Sequence, residues 1–271
     1  MDPIQALAMG VVQGLTEILP ISSSAHLVLL PWVFGWSDPG LTFDVALHLG
    51  TLIAVVAFFW RDWVGLIGGF WRTLTARRKV DDREARLFWL VVFASVPGAI
   101  AGAALESQAE SAFRAPLVVA GLMIGLGIVL MVAEYVSTQT KLLEHVGIGD
   151  SAWIGIAQAL AIMPGVSRSG ITISAGMFRG FTREAAARFS FLMSTPIIAG
   201  AALFQLRHLL GGIPANEQMA FIVGVATSAV VGYLAIRLML SYVQHHSLRV
   251  FAYYRFAIGV GIVLLLLTGT R

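Results

Sequence analysis

Apolar residues run in long blocks along this chain, and short polar clusters separate the blocks. Six blocks are long enough, at about 20 residues, to cross roughly 30 Å of hydrocarbon as helices. They predict spans near residues 45–71, 86–105, 115–136, 189–207, 218–240 and 250–268. The pattern therefore predicts an all-α integral membrane protein with six full transmembrane helices.

Two further apolar stretches, residues 3–36 and 150–178, are interrupted by clusters of Pro and Ser at 19–24 and 163–170. Each arm of these stretches is too short to span a bilayer. Non-helical backbone at membrane depth is tolerated only where it is buried in protein or lines a polar cavity. We therefore expect two re-entrant helix-loop-helix hairpins.

The order of one hairpin and three spans occurs twice, which predicts an internal repeat. Local similarity supports it, because Gln13-x-Leu15 recurs as Gln158-x-Leu160 and Pro20-x-x-Ser23 as Pro164-x-x-Ser167. A hairpin does not cross the membrane and three spans do, so the second copy has inverted topology. The expected organisation is a single membrane domain, 1–271, with repeat one at 1–136, repeat two at 147–271 and a cytoplasmic linker near 137–150.

Composition agrees with a membrane protein. Charged residues make up 12% of the chain, against roughly 25% in soluble domains, and the mean hydropathy is +0.82. An ordinary soluble enzyme is excluded by these values. The absence of Cys excludes a disulfide framework, a thiolate metal site and a catalytic thiol.

The distribution of basic residues predicts the orientation. Residues 72–86 hold six Lys and Arg, and the positive-inside rule places this loop in the cytoplasm. The first hairpin then enters from outside and the second from inside, so that their tips meet near the midplane. Because orientation accounts for the basic residues, no nucleic-acid partner is expected, and a homodimer is left open.

Each broken stretch carries one charged residue, Glu17 within 3–37 and Arg168 within 151–178. An ionisable group at bilayer depth costs about 2.5 to 3.5 kcal/mol on insertion scales and marks a functional site by default. A buried ion pair that only joins the repeats is the alternative. The surrounding polar residues favour a site, because an ion pair alone does not require them; they are Gln13, Ser22, Ser23, Ser24, His26, Ser167, Ser169 and Thr172.

This set suits phosphoryl transfer. The planar guanidinium of Arg168 can bind two phosphate oxygens, and neighbouring hydroxyl and N-H groups complete an anion cradle. Glu17 is a candidate general base, or an oxygen ligand of Mg²⁺ or Ca²⁺. Ser23 is a candidate nucleophile with His26 as its base, although the three serines serve equally well as N-caps of the following helix. The cradle residues are Gln13, Ser22, Ser24, Ser167, Arg168, Ser169 and Thr172.

Other polar residues are given structural roles. Asp44 and His48, one helical turn apart, are candidates to extend the site, but an interfacial pair is the favoured interpretation. Arg255 lies near a span end, where snorkelling to the interface explains it. The rival functional class is a secondary transporter or flippase for an anionic or prenyl-phosphate substrate, because inverted repeats with broken helices are transporter architecture.

Two segments resemble the signature motifs of bacterial undecaprenyl-diphosphate phosphatases of the bacitracin-resistance type: Gln13 to His26 (QGLTEILPISSSAH) and Pro164 to Thr172 (PGVSRSGIT). The resemblance covers essentially the whole chain. It implies an inner-membrane hydrolase that releases phosphate from a prenyl diphosphate lipid, depends on a divalent cation and opens toward the periplasm. The product is the lipid carrier for peptidoglycan.

The resemblance also implies residue roles. Carried over by position, the catalytic set is Glu17, Ser23, His26, Ser167, Arg168, Ser169 and Thr172. The first motif has Glu or Gln, three residues, then Glu, so Gln13 occupies the variable position. Members of the family with Glu at this position have one more carboxylate than this chain. Glu17 is therefore left as the main metal ligand that the resemblance implies.

Overall fold

The computed structural model describes residues 2–75, 82–105, 112–209 and 217–269, and α-helices make up most of that part. Short 3₁₀ turns and loops connect the helices. The helices are α1 (Pro3–Ile18), α2 (Ser23–Phe34), α3 (Leu41–Phe58), α4 (Trp60–Thr75), α5 (Arg83–Ala104), α6 (Pro116–Val136), α7 (Ile148–Ala159), α8 (Arg168–Phe178), α9 (Arg183–Leu209), α10 (Gln218–His245) and α11 (Arg249–Leu267).

Five helices in the described part, α5, α6, α9, α10 and α11, are long and apolar enough to cross a membrane. The α3 and α4 pair is a sixth candidate, bent by 78°. The prediction of an all-helical, multi-pass membrane protein is confirmed, with five or six candidate spans.

The predicted span over residues 45–71 is not one straight helix, because the helix breaks at Phe59 between α3 and α4. Two charged residues, Arg61 and Asp62, directly follow the break, and Arg188 Nη2 donates to Asp62 Oδ1 over 3.0 Å. Charged groups are unfavourable in hydrocarbon, so a helix that begins with them turns away from the axis of the apolar helix before it.

Both interrupted stretches fold as pairs of short helices, α1 with α2 and α7 with α8. Each second helix begins after a Ser with positive φ, 76° at Ser22 and 62° at Ser167. The Ser22 hydroxyl accepts from the Ala25 N-H over 3.3 Å, and the Ser167 hydroxyl accepts from the Gly170 N-H over 3.1 Å. These matching N-caps make Ser22 the counterpart of Ser167, so the sequence pairing of Ser23 with Ser167 is off by one residue.

The two halves of the chain pack on each other through exchanged partners. Helix α1 packs on α10, while α7 packs on α5; α3 also contacts α10, α9 contacts α5, and α6 lies against α11. Glycines allow the closest approach, since a Cβ on Gly14 of α1 would lie 2.8 Å from the Gly232 nitrogen of α10. The largest apolar core includes Val55, Val91 and Phe189. This packing brings the breaks of the two hairpins together.

Candidate active site

The two helix breaks contact each other directly, as the sequence predicts. The Gly165 N-H donates to the Ser22 hydroxyl over 3.1 Å, and the Ser169 hydroxyl donates to the Leu19 carbonyl over 3.2 Å. Backbone groups at a break have no helical partner and need one from elsewhere in the protein. Each hairpin therefore satisfies polar groups of the other.

Glu17 and Arg168 form a buried ion pair across this contact, with Arg168 Nη2 donating to Glu17 Oε1 over 2.5 Å. The other carboxylate oxygen accepts from the Ser23 hydroxyl and from Gln13 Nε2, the latter over 3.3 Å. Gln13 reaches Glu17 because residues four apart share one face of α1. The expected constellation of Gln13, Glu17, Ser23 and Arg168 is present.

The ion pair leaves polar atoms at the same place without partners. Arg168 Nη1 and Gln13 Oε1 are both buried and have no hydrogen-bond partner among the described residues. Buried donors and acceptors are nearly always satisfied, by protein, water or ligand. A pair that only joined the two hairpins would not need an unused guanidinium N-H, so this donor points to a bound acceptor.

His26 does not contact Ser23, contrary to the predicted nucleophile and base pair. Its Nδ1 lies 2.7 Å from the Ser22 carbonyl oxygen and its Nε2 lies 2.7 Å from the Tyr254 hydroxyl. Three residues along α2 carry the His26 ring to α11, where it stacks on Tyr254. The acceptor for the Ser23 hydroxyl is Glu17 instead.

The remaining predicted hydroxyls bond to groups other than the ion pair. Ser22 and Ser167 cap the N-termini of α2 and α8, and the hydroxyls of Ser24 and Ser169 lie 3.2 and 3.3 Å from those of Ser22 and Ser167, respectively. The Thr172 hydroxyl donates to the Arg168 carbonyl over 2.7 Å and lies 2.7 Å from the Ser190 hydroxyl. Thr172 therefore connects the first turn of α8 to α9.

His48 lies beside Glu17, which favours the alternative that it extends the candidate site over an interfacial pair with Asp44. His48 Nε2 lies 3.4 Å from Glu17 Oε2, and its Nδ1 lies 2.7 Å from the Asp44 carbonyl oxygen. The Asp44 side chain contacts Arg114 instead, over 3.5 Å. The available signal was a lone His within the apolar sequence of α3.

The structure also contradicts the snorkelling role that the sequence suggests for Arg255. Its side chain is fully buried, and it donates to the carbonyls of Pro20 and Gly165 at the two breaks. The Arg255 side chain therefore does not reach the membrane interface, and the snorkelling interpretation is wrong. In the sequence, Arg255 lies near the end of a predicted span, where snorkelling accounts for a charged residue. Its carbonyl partners become apparent only in the folded chain.

The residues at the breaks do not form a metal site by themselves. No group of three or more His, Cys, Asp or Glu side chains in the described ranges is arranged to hold a metal ion. Both oxygens of Glu17 already accept from Arg168, Gln13 and Ser23. Any cation here would take most of its ligands from a bound substrate or water.

The arrangement can bind an anion and attack it. Helices α2 and α8 both begin at the breaks, and helix N-termini favour anions. Arg168 offers its unused Nη1, and the Ser23 hydroxyl faces a carboxylate able to accept its proton. A phosphate group held by Arg168 would lie beside Ser23.

Comparison with known proteins agrees with this chemistry. The model of the family described as bacitracin resistance protein BacA matches residues 6–261. The undecaprenyl-diphosphatase of Pelotomaculum thermopropionicum is 51% identical over 265 residues, covering 98% of this chain and 97% of the relative. The undecaprenyl-diphosphatase of Moorella thermoacetica is 52% identical over 264 residues, covering 97% of each. The chain belongs to the bacitracin resistance protein BacA family.

Proposed function

We propose that this chain is a membrane phosphatase that converts undecaprenyl diphosphate to undecaprenyl phosphate and inorganic phosphate. The observation that carries the proposal is the Glu17, Ser23 and Arg168 cluster at the contact of the two breaks. The names of the family relatives specify the substrate. The reaction recycles the lipid carrier of peptidoglycan synthesis and confers resistance to bacitracin.

In the proposed complex the isoprenoid tail lies between spans and the diphosphate enters at the breaks. Arg168 Nη1, which has no partner among the described residues, donates to the terminal phosphate. The N-termini of α2 and α8 add N-H groups and favourable dipoles. These donors stabilise the charge that spreads over the equatorial oxygens during transfer.

Ser23 is the proposed nucleophile, with Glu17 as its base. The Ser23 oxygen forms a bond to the terminal phosphorus, its proton passes to Glu17, and the bond from that phosphorus to the bridging oxygen breaks. Undecaprenyl phosphate leaves, and water then cleaves the phosphoserine to release inorganic phosphate. The hydrogen bond from Ser23 to Glu17 supports this scheme over one based on His26.

The divalent cation, Mg²⁺ or Ca²⁺, stays a prediction from the family resemblance. Glu17 is the carboxylate that the breaks offer, so we expect the diphosphate to supply most of the ligands. Loss of phosphate release in EDTA, and its recovery when excess Mg²⁺ or Ca²⁺ is added, would support the prediction. Unchanged release in EDTA would contradict it.

We also propose the finer architecture: six spans and two re-entrant hairpins in an inverted repeat, in the inner membrane, with the site opening to the periplasm. The matching N-caps Ser22 and Ser167 support the repeat, and so does the exchanged packing of α1 on α10 and α7 on α5. The repeat bounds, the homodimer and the absence of a nucleic-acid partner remain predictions.

Phosphate release by the purified protein in detergent tests the function. We expect release from C15 and C55 prenyl diphosphates, and its loss in Arg168→Ala and Glu17→Ala. Arg249→Ala, a change at an exposed residue of α11, is the control and should remain active. Full activity of both site variants would overturn the proposal.

Transport is the second candidate, favoured by the exchanged packing of the two halves. A transporter predicts substrate-dependent uptake into sealed vesicles without phosphate release. Flipping of the product lipid by a Ser23→Ala variant would reveal a combined role.

A further inference from the structure

Arg255 on α11 is a buried charged residue to which the proposed reaction assigns no role. Its side chain is among the largest that are fully buried. Arg255 takes part in none of the ion pairs between described residues. A buried cation without a counter-ion is costly, so its hydrogen bonds must account for its presence.

All of the acceptors of Arg255 are backbone carbonyls. Nε donates to Met123 over 3.0 Å and Nη2 to Leu122 over 3.4 Å, both on α6. Nη1 donates to the Pro20 carbonyl over 3.3 Å, and Nη2 also donates to the Gly165 carbonyl over 2.5 Å. One planar guanidinium therefore connects α6 to the breaks of both hairpins.

The two break carbonyls lie close in sequence to the catalytic groups. Pro20 is three residues from both Glu17 and Ser23, and Gly165 is three residues from Arg168. Within the described ranges, Arg255 makes no hydrogen bond or ion pair with those side chains, so it acts through the backbone that carries them. The preceding residue, Tyr254, contacts His26 over 2.7 Å, which adds a second link from α11 to the first hairpin.

We propose that Arg255 is a positioning residue, which sets the separation of Glu17 and Ser23 from Arg168 by bridging the carbonyls of Pro20 and Gly165. The inference rests on the proposed phosphatase function. A lysine keeps the charge but presents it as a point, and it cannot reproduce a planar bridge to several carbonyls. The guanidinium geometry, more than the positive charge, is what the site requires.

Arg255→Met and Arg255→Lys test the proposal, with Arg249→Met on the same helix as the exposed control. We expect kcat for prenyl diphosphate hydrolysis to fall about 10- to 100-fold in both Arg255 variants, because small misplacements of reacting groups are costly. KM should stay within about threefold, because the binding groups remain. The Arg249→Met protein should match the wild type.

Hydrogen exchange gives a second readout that does not depend on activity. Amides of residues 19–24 and 163–168 should exchange faster in Arg255→Lys, while amides of α5 and α10 should keep wild-type protection. If Arg255→Met fails to fold, the Lys variant decides. The positioning role is overturned if Arg255→Lys keeps the wild-type kcat, or if its amides exchange faster throughout the molecule. An inactive wild-type protein would instead overturn the phosphatase function itself.

Discussion

At the scale of residues, the site is a carboxylate surrounded by donors. Glu17 accepts from Gln13, Ser23 and Arg168, and His48 lies 3.4 Å away. A carboxylate with several donors is stabilised in its charged form, which is the form able to accept a proton from Ser23. The hydrogen bond to Glu17 also holds the Ser23 hydroxyl in place for the proposed attack.

Ser23→Ala should reduce phosphate release at least about 1000-fold, because the proposed nucleophile is removed. Ser24→Ala, which changes the neighbouring hydroxyl, should lose less than about tenfold. Single-turnover assays with substrate labelled at the terminal phosphate check both values. If the Ser23→Ala enzyme keeps a near wild-type rate, Ser23 is not the nucleophile, and water activated by Glu17 takes that role.

His48→Phe should lower kcat about tenfold, because the contact of Nε2 with the Glu17 carboxylate is lost in a largely enclosed site. His48→Gln, which retains a side-chain donor of similar reach, should keep most of the activity. Steady-state kinetics of both variants measure the effect. Equal rates in the Phe and Gln variants would contradict a hydrogen-bonding role.

At the scale of elements, the hairpins depend on close helix packing. Gly14 of α1 approaches α10 so closely that a Cβ would lie 2.8 Å from the Gly232 nitrogen. Backbone cannot yield as the end of a flexible side chain can, so the contact requires Gly. Since α1 also carries Gln13 and Glu17, this packing sets the position of the site.

Gly14→Ala should therefore destabilise the protein by about 1 to 3 kcal/mol, as overpacking does, although Ala is the better helix former. Gly125→Ala on α6 is the matched control, because a Cβ there meets nothing within 4 Å. It should be neutral or slightly stabilising. Thermal unfolding in detergent compares the two, and equal stability would refute the packing argument.

At the scale of the whole molecule, the proposed spans and the basic loop at 72–86 together predict which loops face which side. The loop between α2 and α3 lies outside in this topology, and the linker between α6 and α7 lies inside. The chain has no Cys, so single cysteines can be introduced without other changes. The topology is therefore open to direct labelling.

Asp38→Cys should react with a membrane-impermeant maleimide on intact spheroplasts, and Gln139→Cys should react only after lysis. Residue 38 precedes α3 and residue 139 follows α6, with the proposed spans between them. Labelling of both sites from the same side would contradict the inverted topology.

Local features of the sequence are enough to predict the class of protein and the candidate chemistry. The low content of charged residues and the apolar blocks of span length indicate a membrane protein. Such blocks form helices, because backbone polar groups in lipid must be satisfied within the protein. The lone charges Glu17 and Arg168 predict the two halves of the candidate site, since charged groups are costly at membrane depth. Both signals are local in sequence, so they can be recognised without knowledge of the fold.

Helix packing establishes which groups touch. The contact of His48 with Glu17, the contact of His26 with Tyr254 and the burial of Arg255 all depend on residues distant in sequence. Packing of α10 and α11 against the first hairpin sets these partners, and residue type alone does not encode them. The sequence predicts the candidate reacting groups, and the fold determines their partners.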